Sequence, residues 1–102
     1  MSMKAKKRPP IHPGEVLKTV LEDAGISANS LALALRIPAN RLTEIINGRR
    51  SISADTALRL GRYFQTSAQM WMNLQAKYDL DTAEDAMADK IETEVQPMRK
   101  AS

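Results

Sequence analysis

Short polar and planar side chains cluster on one face of a helix predicted over residues 39–47. Leu42 and Ile45 lie at the spacing that buries one side of a helix, so the other side faces outward. The outward positions carry amides, a hydroxyl, a guanidinium and a carboxylate, on Asn40, Arg41, Thr43, Glu44 and Asn47. Such groups can hydrogen-bond the edges of base pairs in the major groove of DNA. The alternative is a solvated helix of a bundle, but this face lacks the Glu–Lys pairs typical of one.

Two of these side chains match particular bases. Arg41 can bind guanine through two hydrogen bonds, and Asn40 can bind adenine in the same way. The alternative role for Arg41 is an ion pair with Glu44, three residues later on the same helix.

Contacts to DNA phosphates are predicted on both sides of this helix. Arg49 and Arg50 follow Gly48 in a turn that can set two guanidinium groups against phosphates, or they are solvated in an exposed loop. Ser27 and Asn29 begin the preceding helix and are predicted phosphate donors. Ser27 is equally well explained as a helix N-cap, and both roles can hold together.

The two helices and the break between them form a predicted helix-turn-helix. The helices of this motif cross closely, which requires a small side chain on the first helix. The predicted packing residues are Ala32, Leu35, Ile37, Leu42 and Ile45. Many such motifs have glycine in the turn where this sequence has Arg36, so Arg36 is strained if the turn requires a positive φ.

Hydrophobic periodicity predicts five helices and no strand, with a sixth acidic helix or a fraying tail over residues 82–95. The predicted helix N-caps are Ser27, Ser53 and Ser67, with the lone histidine, His12, as a cap or staple of the first helix. The predicted inward faces are Leu17, Val20, Leu21 and Ala24 in the first helix, and Ala54, Ala57, Leu58, Gly61 and Phe64 in the fourth. In the fifth helix, Trp71, Leu74 and Tyr78 form a stripe that is predicted to lie in the core or at a dimer interface.

Composition excludes several classes of protein. The 102 residues suit one small domain, and they contain no cysteine for disulfides, thiolate metal sites or thiol catalysis. A single histidine cannot build a metal site or an acid–base pair, so we expect no enzyme, no metal and no cofactor. The longest apolar run, Leu31–Leu35, is far too short to cross a membrane, so we expect a cytoplasmic protein.

Charge divides the chain into three parts. Residues 1–12 form a predicted flexible basic arm, residues 13–80 the helix-turn-helix domain, and residues 81–102 an acidic C-terminal helix or tail. The arm either follows phosphates or a minor groove, or is a solvated tail. The acidic segment either keeps the tail off DNA or meets a basic protein partner.

Several segments of residues 12–80 together resemble the HigA/VapI family of antitoxins, within the Cro/C1-type (Xre) helix-turn-helix group. The segments that carry the resemblance are His12-Pro13-Gly14-Glu15-Val16-Leu17, Ile37-Pro38-Ala39-Asn40-Arg41-Leu42, Ile45-Ile46-Asn47-Gly48-Arg49-Arg50, Ile52-Ser53-Ala54-Asp55-Thr56-Ala57-Leu58-Arg59-Leu60, Trp71-Met72-Asn73-Leu74-Gln75 and Tyr78-Asp79-Leu80.

This resemblance implies an all-α, lambda-repressor-like domain of five to six helices. It also implies a homodimeric repressor that binds a palindromic operator of double-stranded DNA upstream of its own operon. The implied partner is a HigB-like ribonuclease toxin, which the antitoxin neutralises. Two alternatives stay open: a stand-alone Xre-type regulator without a toxin, and a protein-interaction module that no longer reads DNA.

Overall fold

The structure, a computed structural model, describes residues 8–99. Within that range the chain forms five helices and no strand, which confirms the all-α prediction. The helices are α1 (Pro13–Ala24), α2 (Ala28–Leu35), α3 (Ala39–Ile46), α4 (Ala54–Phe64) and α5 (Ala68–Glu94). Most of the predicted basic arm, including Lys4, Lys6 and Lys7, lies outside the described residues.

Local signals set most helix boundaries. Ser27, Ser53 and Ser67 each accept a hydrogen bond from the backbone N–H three residues later, as predicted for N-caps. At the other end of α1, Gly25 adopts the left-handed conformation, with φ at 71°. The predicted cap at His12 is also confirmed, because its Nδ1 accepts a hydrogen bond of 2.9 Å from the Gly14 N–H.

The turn between α2 and α3 does require a positive φ, and Arg36 adopts it at 60°. The turn is closed by a hydrogen bond from the Ile37 N–H to the Ala32 carbonyl. A residue with a side chain costs about 1–2 kcal/mol more than glycine in this conformation. The backbone strain predicted for Arg36 is therefore present, and the packing around the turn offsets it.

The core lies where α1, α2, α3 and α4 meet the first part of α5. The residues predicted to pack the helix-turn-helix, Ala32, Leu35, Ile37, Leu42 and Ile45, are all buried in it. Leu17 and Leu21 of α1 join them, whereas Val20 is half-buried and Ala24 is exposed, so the predicted face of α1 extends one turn too far.

The predicted inward face of α4 is wrong in part. Leu58 is 65% exposed and Ala54 is exposed, while Thr56 and Leu60 are buried beside Ala57 and Gly61. Both sets of positions repeat with helical spacing, so periodicity alone does not choose between them. Gly61 faces the start of α5 so closely that a Cβ would lie 2.9 Å from the Thr66 carbonyl oxygen. This contact fixes the rotation of α4.

The last helix differs from the prediction in length. α5 continues through Asp81 to Glu94 without a break, so the described residues hold no separate sixth helix, and the predicted domain boundary at residue 81 falls inside α5. Trp71 at its start is 1% exposed, while Leu74 and Tyr78 are half-buried. The Trp71 ring therefore packs inside the protomer and is not available to a second copy.

Candidate nucleic-acid interface

Helix α3 presents a polar face because its apolar face is fully buried. Leu42 and Ile45 are both 0% exposed and hold α3 against α1 and α2. Asn40, Thr43 and Asn47 are exposed, and Arg41 and Glu44 are half-buried. The Thr43 hydroxyl donates a hydrogen bond of 3.0 Å to the Ala39 carbonyl, so its oxygen lone pairs remain as acceptors. Four of the five predicted base-contacting residues thus lie on one short, firmly seated helix, and the fifth, Asn47, is its C-cap.

The C-terminal end of α3 is seated on a glycine of α1. A Cβ on Gly14 would lie 1.8 Å from the Ile45 carbonyl oxygen, far inside any real contact. Only glycine therefore allows the two helices to approach this closely. The prediction from sequence did not assign Gly14 this role, although the His12-Pro13-Gly14 segment carried the family resemblance.

His12 lies between α5 and the turn that follows α3. Its ring is buried and packs edge-on against Tyr78 of α5, with the ring centroids 4.8 Å apart. Its carbon atoms also lie about 4 Å from the position that a Cβ on Gly48 would take. His12 therefore joins the start of α1, the turn after α3 and α5 in one contact.

The turn that follows α3 is anchored to α5 by a buried glutamine. The Gln75 Oε1 accepts a hydrogen bond of 2.7 Å from the Ile52 N–H, and its Nε2 donates to Asp79 at 2.9 Å. A buried N–H left without an acceptor is costly, so Gln75 fixes the backbone just after Arg49 and Arg50. Sequence reasoning missed Gln75, because nothing near it in the sequence indicates a partner 23 residues away.

Two ion pairs decide how the arginines of the interface are held. Arg50 Nε lies 2.7 Å from Glu44 Oε1, and Arg41 Nη1 lies 3.8 Å from Asp55 Oδ2. The alternative pairing of Arg41 with Glu44 is therefore wrong: Glu44 reaches across to Arg50, and the carboxylate near Arg41 belongs to α4 instead.

Asp55 is itself held by an arginine that sequence reasoning also missed. Arg59 Nε donates to Asp55 Oδ1 at 2.8 Å, while its Nη1 donates to the Leu35 carbonyl at 2.9 Å. The signal that was available is the spacing of Asp55 and Arg59, which places an acid and an arginine on adjacent turns of one helix.

The predicted phosphate contacts lie at both ends of the helix-turn-helix. Ser27 and Asn29 are exposed at the start of α2, where backbone N–H groups and the helix dipole favour anions. Arg49 and Arg50 are exposed in the turn after α3, which Gly48 makes possible with φ at 78°. Among residues 8–99, Arg49 has no ion pair, so its guanidinium is available to a phosphate.

Residues 8–99 hold no group of three or more side chains that could bind a metal ion. No helix in that range has the length and apolar character needed to span a membrane.

Known proteins resemble this chain in sequence and in fold. A family model described as helix-turn-helix matches residues 17–71, which include all of α2 and α3. Virulence-associated protein I of Dichelobacter nodosus is 51% identical over 87 residues, which make up 82% of this chain and 81% of that protein.

Two solved structures superpose closely. The Pseudomonas aeruginosa antitoxin HigA with the higBA promoter is 50% identical, with a TM-score of 0.85 over 88% of this chain and 99% of that one. The antitoxin GraA in complex with its operator is 39% identical, with a TM-score of 0.87 over 97% of this chain and 100% of that one.

Proposed function

Since this chain belongs to the helix-turn-helix family and, within it, to the HigA/VapI antitoxins, we propose that it is a repressor that binds the operator of its own operon and neutralises a toxin. It acts in the cytoplasm as a homodimer, without enzymatic activity or a cofactor. The proposal has three parts, which are DNA reading, dimerisation and toxin binding.

DNA reading is carried by one observation above the others, the seating of α3. Its two inward residues are fully buried, its C-terminal end rests on Gly14, and its outward face carries Asn40 and Arg41. We call α3, as the helix proposed to contact base pairs, the reading helix. A reading helix that is already held in place loses less conformational entropy when it binds DNA, and this favours affinity. That two similar proteins, HigA and GraA, were solved with promoter or operator DNA supports the same role.

Dimerisation follows from the operator that such a repressor reads. A palindrome places two half-sites about 34 Å apart, one turn of duplex, and one protomer carries one reading helix. Two copies related by a two-fold axis therefore match the operator.

Toxin binding is assigned to the C-terminal half of α5. Residues 81–94 contain six acidic side chains and one lysine, so a second copy of this segment would be repelled and a basic protein attracted. Met87 and Ile91 are exposed one turn apart among these acids. This surface fits a small basic ribonuclease of the HigB type. An open reading frame for such a protein is expected beside the gene, and its absence would favour the stand-alone regulator.

The experiment compares two arginine variants on two DNA duplexes. Affinities for the operator and for a random duplex of equal length are measured at one salt concentration. Arg41→Ala is expected to lower the ratio of the two affinities by about tenfold or more, since a bidentate base contact contributes about 1–3 kcal/mol of discrimination. Arg49→Ala is expected to weaken both affinities about equally, because phosphate contacts carry no sequence information.

Arg62→Ala serves as the control, since it removes an exposed arginine from the last turn of α4, outside the predicted interface. If Arg41→Ala keeps the full affinity ratio, the assignment of the reading face is wrong. A different outcome is that the unaltered protein leaves no footprint on the DNA upstream of its gene, yet binds the product of the neighbouring gene tightly. The chain would then be a protein-interaction module that no longer reads DNA.

A further inference from the structure

Arg41 is the end of a chain of contacts that runs through three helices. It begins at the Leu35 carbonyl at the end of α2, which accepts a hydrogen bond from Arg59 Nη1 at 2.9 Å. Arg59 Nε donates to Asp55 Oδ1 at 2.8 Å, and Asp55 Oδ2 lies 3.8 Å from Arg41 Nη1. The backbone of α2, the first turns of α4 and the reading helix α3 are therefore linked through two side chains of α4.

Arg59 restrains the Asp55 carboxylate. Arg59 is held at both ends of its planar guanidinium group, by a carbonyl of rigid backbone and by Asp55 itself. These contacts restrict the movement of the carboxylate, although the Asp55 side chain is 58% exposed. It presents its second oxygen to Arg41, whose side chain is 33% exposed.

Arg41 has no competing acid on its own helix. Glu44 is the only acidic residue of α3, and its carboxylate is bound to Arg50 at 2.7 Å. At 3.8 Å the contact between Arg41 and Asp55 is an ion pair without a short hydrogen bond. The N–H donors of Arg41 therefore remain available to another partner. At the same time, attraction to the Asp55 carboxylate holds the guanidinium group near α4.

We propose that Asp55 and Arg59 are positioning residues for Arg41, so that operator specificity depends on two side chains outside the reading helix. The inference rests on the proposed function, because it assumes that Arg41 reads a base. An arginine side chain that is already restricted loses less conformational entropy when DNA binds. A bidentate contact to guanine also depends on where the guanidinium group lies, and the attraction to Asp55 restricts that position.

The sign of the effect separates positioning from simple electrostatics. Asp55 is exposed, and its negative charge repels DNA phosphates. Removing that charge is therefore expected to strengthen binding to any duplex. If Asp55 also positions Arg41, the same change lowers the ratio of operator affinity to random-duplex affinity. The affinity ratio is the measurement that a purely electrostatic role would not move.

The test is Asp55→Asn, measured on the operator and on a random duplex of equal length. We expect the affinity ratio to fall about fivefold, which corresponds to about 1 kcal/mol of coupling between neighbouring side chains. Asp23→Asn is the matched control, since it makes the same charge change at an exposed position of α1 and should leave the ratio unchanged. Arg59→Lys keeps the charge but cannot hold both partners in one plane, so an intermediate fall is expected.

A double-mutant cycle completes the test. In the Arg41→Ala background, Asp55→Asn should no longer change the affinity ratio, because the residue that it positions is gone. Thermal unfolding of each variant checks that the fold is intact. An unchanged or higher ratio for Asp55→Asn in a protein that does discriminate its operator would overturn the positioning role alone. A protein that shows no discrimination before any substitution would overturn the proposed function and this inference with it.

Discussion

Helix α3, the proposed reading helix, and the C-terminal half of α5 are held in opposite ways. α3 is eight residues long, and it is seated on buried leucine and isoleucine side chains, on Gly14 and on the turn that Gln75 anchors. From residue 82 to residue 94, α5 leaves every side chain exposed except the half-buried Ala88. A short helix is marginal by itself, so α3 owes its order to tertiary packing.

This difference matches what the two surfaces are proposed to do. Reading a base pair requires donors and acceptors at fixed positions before DNA arrives, and packing supplies that rigidity. A surface that attracts a basic partner through several carboxylates depends on charge, which acts over a distance and tolerates small displacements. The comparison therefore predicts that substitutions around α3 destabilise the protomer and that substitutions late in α5 do not.

The largest effect is expected for Gly14→Ala, which tests whether α3 is seated on α1. The added methyl group would meet backbone atoms of Ile45, which cannot move without displacing α3. We expect a loss of about 3 kcal/mol or more in the free energy of unfolding, together with weaker operator binding. Urea unfolding measures the loss, with Lys18→Ala at an exposed position of α1 as the control. A loss below about 0.5 kcal/mol would show that the contact is not tight.

An intermediate effect is expected for Gln75→Leu, at the junction of the two regions. The leucine fills a similar space but leaves the buried Ile52 N–H without its acceptor, which costs about 1–3 kcal/mol. Because this N–H lies just after Arg49 and Arg50, binding to any DNA should weaken as well. Gln69→Leu, on an exposed face of the same helix, is the control for unfolding and for DNA affinity. Equal stability of the two variants would contradict the anchoring role.

The smallest effect is expected for Ile91→Ala, in the exposed half of α5. Ile91 is 50% exposed, so its truncation should change the free energy of unfolding by less than about 0.5 kcal/mol. Leu60→Ala, which removes a fully buried side chain, should cost about 2–5 kcal/mol in the same measurement. If Ile91→Ala costs as much as Leu60→Ala, the C-terminal half of α5 is packed against something in the isolated protein, and the comparison fails.

Much of the fold was predictable because its signals are local. Serine caps at positions 27, 53 and 67, the glycine at position 25 and the proline at position 38 act on the backbone within a few residues. Those signals do not depend on which helices lie nearby. At Arg36 the sequence predicted strain only if the turn required a positive φ, and the structure supplies that condition with φ at 60°.

The candidate site was predictable only in part. The outward face of α3 follows from its own periodicity, but the partners of that face come from distant segments. Asp55 lies 14 residues from Arg41, and Gln75 lies 23 residues from Ile52. Neither pairing leaves a pattern in the residues beside it.

The sequence by itself determined where α1 to α4 begin and end, where α5 begins, which side of α3 is polar and where charge changes sign along the chain. Those properties depend on backbone preference and spacing within one element. The tertiary structure alone decided the rotation of α4 and the choice of Asp55 over Glu44 as the partner of Arg41. Each of these depends on how closely two elements approach, and in this chain close packing at Gly14 and Gly61 sets that approach.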